Sequence, residues 1–218
     1  MDSFYILVIG RRGTGKTTLI QGEPGITPGL VTYTQRPTYI LDTVGNYDRG
    51  MIFRSPARLK AVRTKELRTG ETLNNTGIYV MRATSDAQVD AYLTLVYAPA
   101  ATYAQRAGRA SDRLSSTLII DEAPKLCSPH SVHDTLDSVI QYGRNYGIDV
   151  ILAARRYRQL NVNLRSQADA VISYQQTEAR DVAELRKIDE QAAQLSDLGP
   201  HEWISLGYDD VIPGLDRL

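Results

Sequence analysis

The sequence holds a single cysteine, Cys127, so no internal disulfide can form, and a lone thiol fits a reducing compartment. It also lacks an excess of charge of either sign. Lysine and arginine together number 25, aspartate and glutamate 25, and the formal net charge is zero. The whole-molecule field therefore does not announce a polyanionic partner, and any nucleic acid has to be held by local patches. No apolar run approaches the ~20 residues that cross a bilayer. The stretch from Met1 to Ile9 is apolar only briefly and has no basic n-region, so it reads as a first strand and not as a leader. A soluble chain with no transmembrane segment of its own is expected. Internal repeats and low-complexity tracts are missing as well. At 218 residues the chain is long enough for one well-filled α/β domain and short for two, so a single domain over 1–218 is expected.

What is present is an alternation of short apolar runs and helical patterns. Phe4 to Ile9, Thr38 to Asp42, Gly77 to Met81, Thr117 to Asp121, Ile148 to Ala154, Ala170 to Tyr174 and His201 to Leu206 read as strands, with a short extended piece at 51–53. A short helix is expected from Thr17 to Gln21, and residues 22 to 37, rich in glycine and proline, are expected to be mostly loop. Pro56 at a first helical position starts a helix through Arg68. Ser85 caps another, with Val89, Leu93 and Val96 on one face and a limit near Pro99. A further helix is expected around Tyr103 to Arg113. Ser131-x-x-Asp134 has the form of a capping box opening a helix that stops at Gly147, with Val132, Leu136, Val139 and Ile140 on its face. Strands alternating with helices over the first 155 residues predict an α/β fold with a mainly parallel central sheet and helices on both faces.

Between the first strand and the first helix stands Gly10-Arg11-Arg12-Gly13-Thr14-Gly15-Lys16-Thr17, a full G-x-x-x-x-G-K-[ST] pattern in the context that pattern demands. Glycines at this spacing let the backbone curl so that successive N–H groups face a polyphosphate, with the positive end of the helix behind them. ATP and Mg²⁺ are the expected ligands. Gly10, Gly13, Thr14 and Gly15 form the cradle, Lys16 reaches the β- and γ-phosphates, Thr17 supplies a hydroxyl to Mg²⁺, and Thr18 touches the α-phosphate.

The strand Leu118-Ile119-Ile120 ends in Asp121-Glu122, at the carboxyl end of a buried strand, where open α/β sheets bind ligands. By themselves two acids at a strand end are ordinarily solvated. With the glycine loop upstream, Asp121 is expected to hold Mg²⁺ through its water shell and Glu122 to orient and deprotonate a water.

Four further segments carry a resemblance. Tyr142-Gly143-Arg144-Asn145-Tyr146-Gly147-Ile148 through Arg155-Arg156, Ile40-Leu41-Asp42-Thr43-Val44-Gly45-Asn46-Tyr47, Ala168 through Tyr174, and Glu178-Ala179-Arg180-Asp181 resemble, in order, segments of the FtsK/HerA family of DNA-pumping ATPases. The likeness spans most of the chain. It implies a RecA-like P-loop NTPase core of the additional-strand, catalytic-glutamate type, assembled as a homo-oligomeric ring, hexamer or pentamer, in which a neighbour supplies an arginine to the γ-phosphate. Arg180 matches the arginine-finger segment best and Arg144 next. Arg155 stands where the family has a polar-sensor glutamine, and a charge in place of an amide changes the electrostatics of that role. With room for the motor core alone, the chain is similar to the genome-packaging ATPases of icosahedral viruses with an internal membrane. That implies double-stranded DNA and capsid-vertex or membrane-associated packaging proteins as partners, at a virion vertex or in the host cytoplasm. The rival readings are another motor of this family, in conjugation, secretion or DNA processing, a small-molecule or nucleotide kinase, and a nucleotide-gated assembly factor without turnover.

Two basic clusters are candidates for phosphate contact. They are Arg54, Arg58, Lys60, Arg63, Lys65 and Arg68, interrupted only by Glu66, and Arg156, Arg158 and Arg165. Cys127, His130 and His133 lack the second ligand pair of a metal site, and Tyr92, Tyr97 and Tyr103 read as packing residues.

Overall fold

The structure, a computed structural model, describes residues 3–23, 27–34, 36–71, 73 and 76–207. The chain divides into two compact units. One is built mainly from Thr34–Asp121 and Asp134–Val150, and the other from Phe4–Tyr33, Glu122–His133 and the chain from Ile151 onward.

In chain order, the second unit begins with β1 (Tyr5–Ile9), all five residues buried, and α1 (Lys16–Gln21), which ends where Gly22 takes a positive φ of 73°. A small hairpin of β2 (Gly22–Glu23) and β3 (Thr27–Pro28) and one turn of helix α2 (Leu30–Tyr33) follow. The 22–37 stretch is therefore more ordered than a plain loop, and its residues 24–26 and 35 lie outside the described residues. The first unit then contributes β4 (Thr38–Leu41), β5 (Met51–Phe53), α3 (Pro56–Thr69), β6 (Ile78–Met81), α4 (Asp86–Ala107) and β7 (Ser116–Ile120). After a hairpin of β8 (Cys127–Ser128) and β9 (Ser131–Val132) come α5 (Asp134–Tyr142), a 3-10 turn over Gly143–Tyr146, and β10 (Ile148–Ala154), whose residues are shared between the units. The second unit closes with α6 (Val162–Arg165), β11 (Ala170–Tyr174), α7 (Ala179–Leu185) and β12 (Trp203–Gly207).

The strands of the second unit run β12-β11-β1-β10, and those of the first β10-β7-β4-β6-β5. β1 lies parallel to β11, with Ile6 opposite Ala170 and Ile9 opposite Ser173, and β12 is antiparallel to β11. β4 is parallel to both β6 and β7, and β5 to β6. The central sheet is thus mostly parallel, as the runs of Val, Ile and Leu demand. Residues buried on both faces of a strand have no polar side to alternate with.

Two helix expectations need correction. α4 does not stop near Pro99 and no separate helix starts at Tyr103, because one helix of 22 residues runs from Asp86 to Ala107 with Pro99 inside it. An internal proline removes one backbone hydrogen bond, at a cost of ~3 kcal/mol. Here Pro99 is exposed, where the orphaned Leu95 carbonyl can meet water, while Val96, Ala100, Ala101 and Ala104 continue the buried face past it. The second correction concerns Ser131, which does not cap α5. Its hydroxyl pairs with that of Ser128 at 2.9 Å across the β8–β9 hairpin, and the helix opens at Asp134 with Leu136, Val139 and Ile140 buried. The Ser85 cap forms as expected, its hydroxyl accepting from the Gln88 N–H at 3.4 Å.

The first unit buries polar groups in closed networks. Asp42, 2% exposed, accepts N–H bonds from Val44, Gly45, Asn46 and Tyr47 at 2.6–3.2 Å and an Arg82 Nε bond at 3.3 Å. Glu66 accepts from Arg63 at 2.6 Å, the Tyr79 hydroxyl at 2.8 Å and the Leu73 N–H at 2.9 Å. Arg63 also lies over the Tyr39 and Tyr79 rings. Glu66 is thus a buried partner and not a break in a basic surface, and Arg63 leaves the exposed cluster of Arg54, Arg58, Lys60, Lys65 and Arg68. Burial pushes the Tyr39 hydroxyl up to about 12.

Candidate functional site

The glycine loop follows β1 directly. The Gly10 N–H donates to the Ala154 carbonyl at 3.0 Å, which ties the loop's first residue to the end of β10. A Cβ on Gly10 would stand 2.6 Å from the Thr14 hydroxyl and 2.9 Å from Tyr174 Cβ, so no side chain fits there. Gly13 and Gly15 have φ of 81° and 101°, left-handed values that glycine adopts without strain. Gly15 also faces His201, whose Nδ1 is 3.0 Å from where a Cβ would sit. At its three glycines the loop carries no side chain, the form that lets backbone N–H groups approach an anion. The Thr14 hydroxyl donates to the Arg11 carbonyl at 2.9 Å. Lys16 folds over the curl, donating to the Gly10 carbonyl at 2.6 Å and the Arg11 carbonyl at 3.0 Å. Its ammonium therefore stands at the mouth of the loop. Thr17 is half-buried and Thr18 exposed on the first turn of α1.

Asp121 follows β7 and is 4% exposed, its N–H donating to the Leu41 carbonyl at 3.2 Å and its own carbonyl accepting from the Thr43 hydroxyl. Glu122 comes next with φ 51° and ψ 49°, a left-handed conformation that costs a residue with a Cβ ~1 kcal/mol or more and is held only by its surroundings. The turn after it is anchored by Cys127, whose thiol donates to the Ala123 carbonyl at 3.1 Å and whose pKa burial pushes up to about 12. Arg155 donates its Nε–H to Glu122 Oε1 at 2.9 Å, and its Nη2 stands in ion-pair distance of the same oxygen at 2.9 Å. Arg156 pairs with Glu178 at 3.0 Å, directly before α7. Arg158 donates its N–H to buried Asp181, and Arg165 lies 4.5 Å over the Tyr157 ring.

The structure therefore gathers the glycine loop, Lys16, Thr17, Thr18, Glu122, Arg155 and Arg180 in one unit. Arg180 is exposed on the first turn of α7, and Arg144 is exposed on the 3-10 turn of the other unit. Asp121 belongs to the other unit; it and Thr17, the residues the sequence names for a metal, both carry hard oxygens. That chemistry fits Mg²⁺, which keeps several waters and relies on phosphate oxygens. Among the described residues no group of three His, Cys, Asp or Glu side chains forms a metal cage, Cys127, His130 and His133 included. Sequence reading missed the Arg155–Glu122 pair and the packing of Tyr174 and His201 against the loop. The charge at position 155, where the family has glutamine, was the one available signal for the pair.

No protein-family model and no curated protein matches the chain. Solved structures do. The genome-packaging NTPase B204 of Sulfolobus turreted icosahedral virus 2, in complex with sulfate, superposes with a TM-score of 0.68 at 17% identity, over 96% of this chain and 94% of that one. The chain has the P-loop NTPase fold. The DNA-packaging ATPase B204 of Sulfolobus turreted icosahedral virus gives a TM-score of 0.62 at 20% identity, covering 94% and 93%. The conjugation coupling protein TcpA of pCW3, with ATPγS, gives 0.54 at 14% identity, covering 99% of this chain and 64% of that one. At these identities the likeness establishes the fold. Within that P-loop fold the glycine loop, Lys16 and the acid-ended β7 occupy the elements the sequence assigned to them. Among the described residues no helix is long and apolar enough to cross a membrane.

Proposed function

We propose that the chain is an ATP-hydrolysing translocase of double-stranded DNA that packages viral DNA into a preformed capsid. The observation that carries this reading is the glycine curl after β1 with the Lys16 ammonium folded over it, in a fold shared over 96% of the chain with a genome-packaging NTPase. In this reading the loop N–H groups hold the β-phosphate, and Lys16 exchanges its two carbonyl partners for phosphate oxygens. Thr17 and Asp121 are the residues that would hold Mg²⁺, which would supply positive charge to the triphosphate. Glu122 orients the attacking water and takes its proton. Arg180, or else Arg144, reaches the γ-phosphate of a neighbouring copy in a homo-oligomeric ring, hexamer or pentamer, where losing the charge costs ~10³ in rate. Such a motor works at the packaging vertex of a virion or in the host cytoplasm, with capsid or membrane-associated packaging proteins as its seat. The fold shared with TcpA supports a second reading, a related motor outside a capsid.

The test is ATP turnover of the native chain, Glu122→Gln and Arg180→Ala, each with and without long duplex DNA. DNA should stimulate the native chain. Both variants should lose turnover about 10²-fold or more while still binding nucleotide. Mixing Arg180→Ala with Lys16→Ala should restore part of the activity, since each supplies what the other lacks. A turnover indifferent to DNA would favour the kinase reading, and binding with negligible turnover the assembly-factor reading.

A further inference from the structure

The first unit has a cavity that the proposed function does not use. It lies where α3 and α4 cover β4 and β7, has a volume of 130 Å³, and is bordered by Tyr39, Leu59, Arg63, Leu67, Leu95 and Ser116. Most of its wall is apolar, but Ser116 is not. This residue opens β7, is 3% exposed, and is held by its N–H on the Gly147 carbonyl at 3.1 Å, while its hydroxyl has no hydrogen-bond partner among the described residues. Leu118, two residues on, stands opposite Tyr39, so Ser116 and Tyr39 share the face of the sheet that the cavity borders. Buried hydroxyls are ordinarily paired, and one that lines a cavity points to a ligand atom as its partner. Arg63 also borders the cavity, and its charge is already matched by Glu66 at 2.6 Å. The space therefore suits a polar tip without charge. Its size is close to the about 150 Å³ in which an apolar cavity accepts one benzene ring. A phenol meets both demands, with a ring for the leucines and an O–H for Ser116.

The cavity continues as a groove. A depression of 680 Å³ shares Lys60, Leu95 and Pro99 with it and follows α4 to Arg106. Pro99 has no N–H for the Leu95 carbonyl, so the groove wall carries a backbone acceptor that an incoming N–H can meet. Lys60 and Arg106 are exposed, and among the described residues neither has an ion-pair partner and no acid lines the groove or the cavity. The local field favours carboxylates. We propose that this cavity and groove dock an acidic segment of a partner protein, with a tyrosine of that segment seated in the cavity and its carboxylates beside Lys60 and Arg106. The inference is independent of the hydrolysis reading, since it uses none of the residues assigned to the nucleotide.

The test titrates the isotope-labelled chain with a peptide that carries one tyrosine between pairs of aspartates, and with its phenylalanine, alanine and asparagine-flanked versions. Amide shifts report affinity and place together. The tyrosine peptide should move amides of 95–103 and 114–116. Phenylalanine should bind about five-fold more weakly, the worth of one net hydrogen bond, and alanine at least about ten-fold. In Ser116→Ala the tyrosine and phenylalanine peptides should bind alike. Asparagine flanks, or Arg106→Gln in the chain, should each weaken binding about three-fold. Arg106 is exposed, so that variant decides the charge part of the proposal even where Ser116→Ala disturbs the fold. Absence of shifts at millimolar tyrosine peptide, shifts outside the groove, equal affinity for tyrosine and phenylalanine, or a tyrosine preference that survives Ser116→Ala overturns the proposal. A duplex oligonucleotide that moves the same amides more strongly than the peptide also overturns it, and makes the groove a phosphate surface. Loss of turnover in Glu122→Gln bears on hydrolysis alone.

Discussion

In the first unit Asp42 is enclosed by four backbone N–H groups and Arg82, and Glu66 by Arg63, Tyr79 and the Leu73 N–H. In the second unit two charged pairs, Arg155 with Glu122 and Arg156 with Glu178, stand with about half of each arginine in solvent. The contrast separates charges that hold a fold from charges that can change partners. A carboxylate with every acceptor site filled by fixed N–H groups is structural, and breaking it leaves buried donors without acceptors. A pair that shares its groups with water loses little when it parts.

That comparison can be broken at three places, with decreasing effect. Asp42→Ala should destabilise the chain by about 3 kcal/mol, because its donors lose a buried charged acceptor, and denaturant unfolding measures it. A loss below about 1 kcal/mol would place Asp42 with the exchangeable charges. Cys127 sharpens the contrast from inside the second unit, since the turn bearing Glu122 rests on a thiol that is 0% exposed. Its folded pKa is raised from 9.0 to about 12, so the folded chain keeps the proton longer than the unfolded one. This contribution to stability is whole below pH 9 and lost as pH rises toward about 12. A disulfide reagent at pH 8 should modify the native thiol at least about 10²-fold more slowly than the denatured one. The smallest effect is expected from Glu178→Gln, under about 1 kcal/mol in unfolding. A larger cost would mean that the Arg156 pair is part of the scaffold.

Most of the central sheet was legible in the sequence because runs such as Tyr5–Ile9 and Ile148–Ala154 are apolar throughout, and only a doubly covered strand tolerates that. The loop was legible because its glycines answer to steric demands that fix their spacing. Pro99 misled because a local rule about one hydrogen bond was outweighed by the buried face of α4 on either side of it. Ser131 misled because its hydroxyl has a cross-hairpin partner that no helix pattern can reveal. The Arg155–Glu122 pair joins residues 33 positions apart, and long-range side-chain pairing leaves no periodic trace. Arg155 stands out in the sequence only as a departure from the FtsK/HerA pattern, and its partner is set by the fold.

The three loop glycines are glycines for unlike reasons. At Gly10 a side chain would collide with Thr14 and Tyr174, at Gly15 it would press on His201 in a left-handed backbone, and at Gly13 an added carbon would meet nothing within 4 Å, so that only the handedness of the backbone is demanding. Two of these positions answer to neighbours already in place and the third to the path of the chain alone. An asparagine, which tolerates that handedness, could stand at position 13 without touching any of its neighbours.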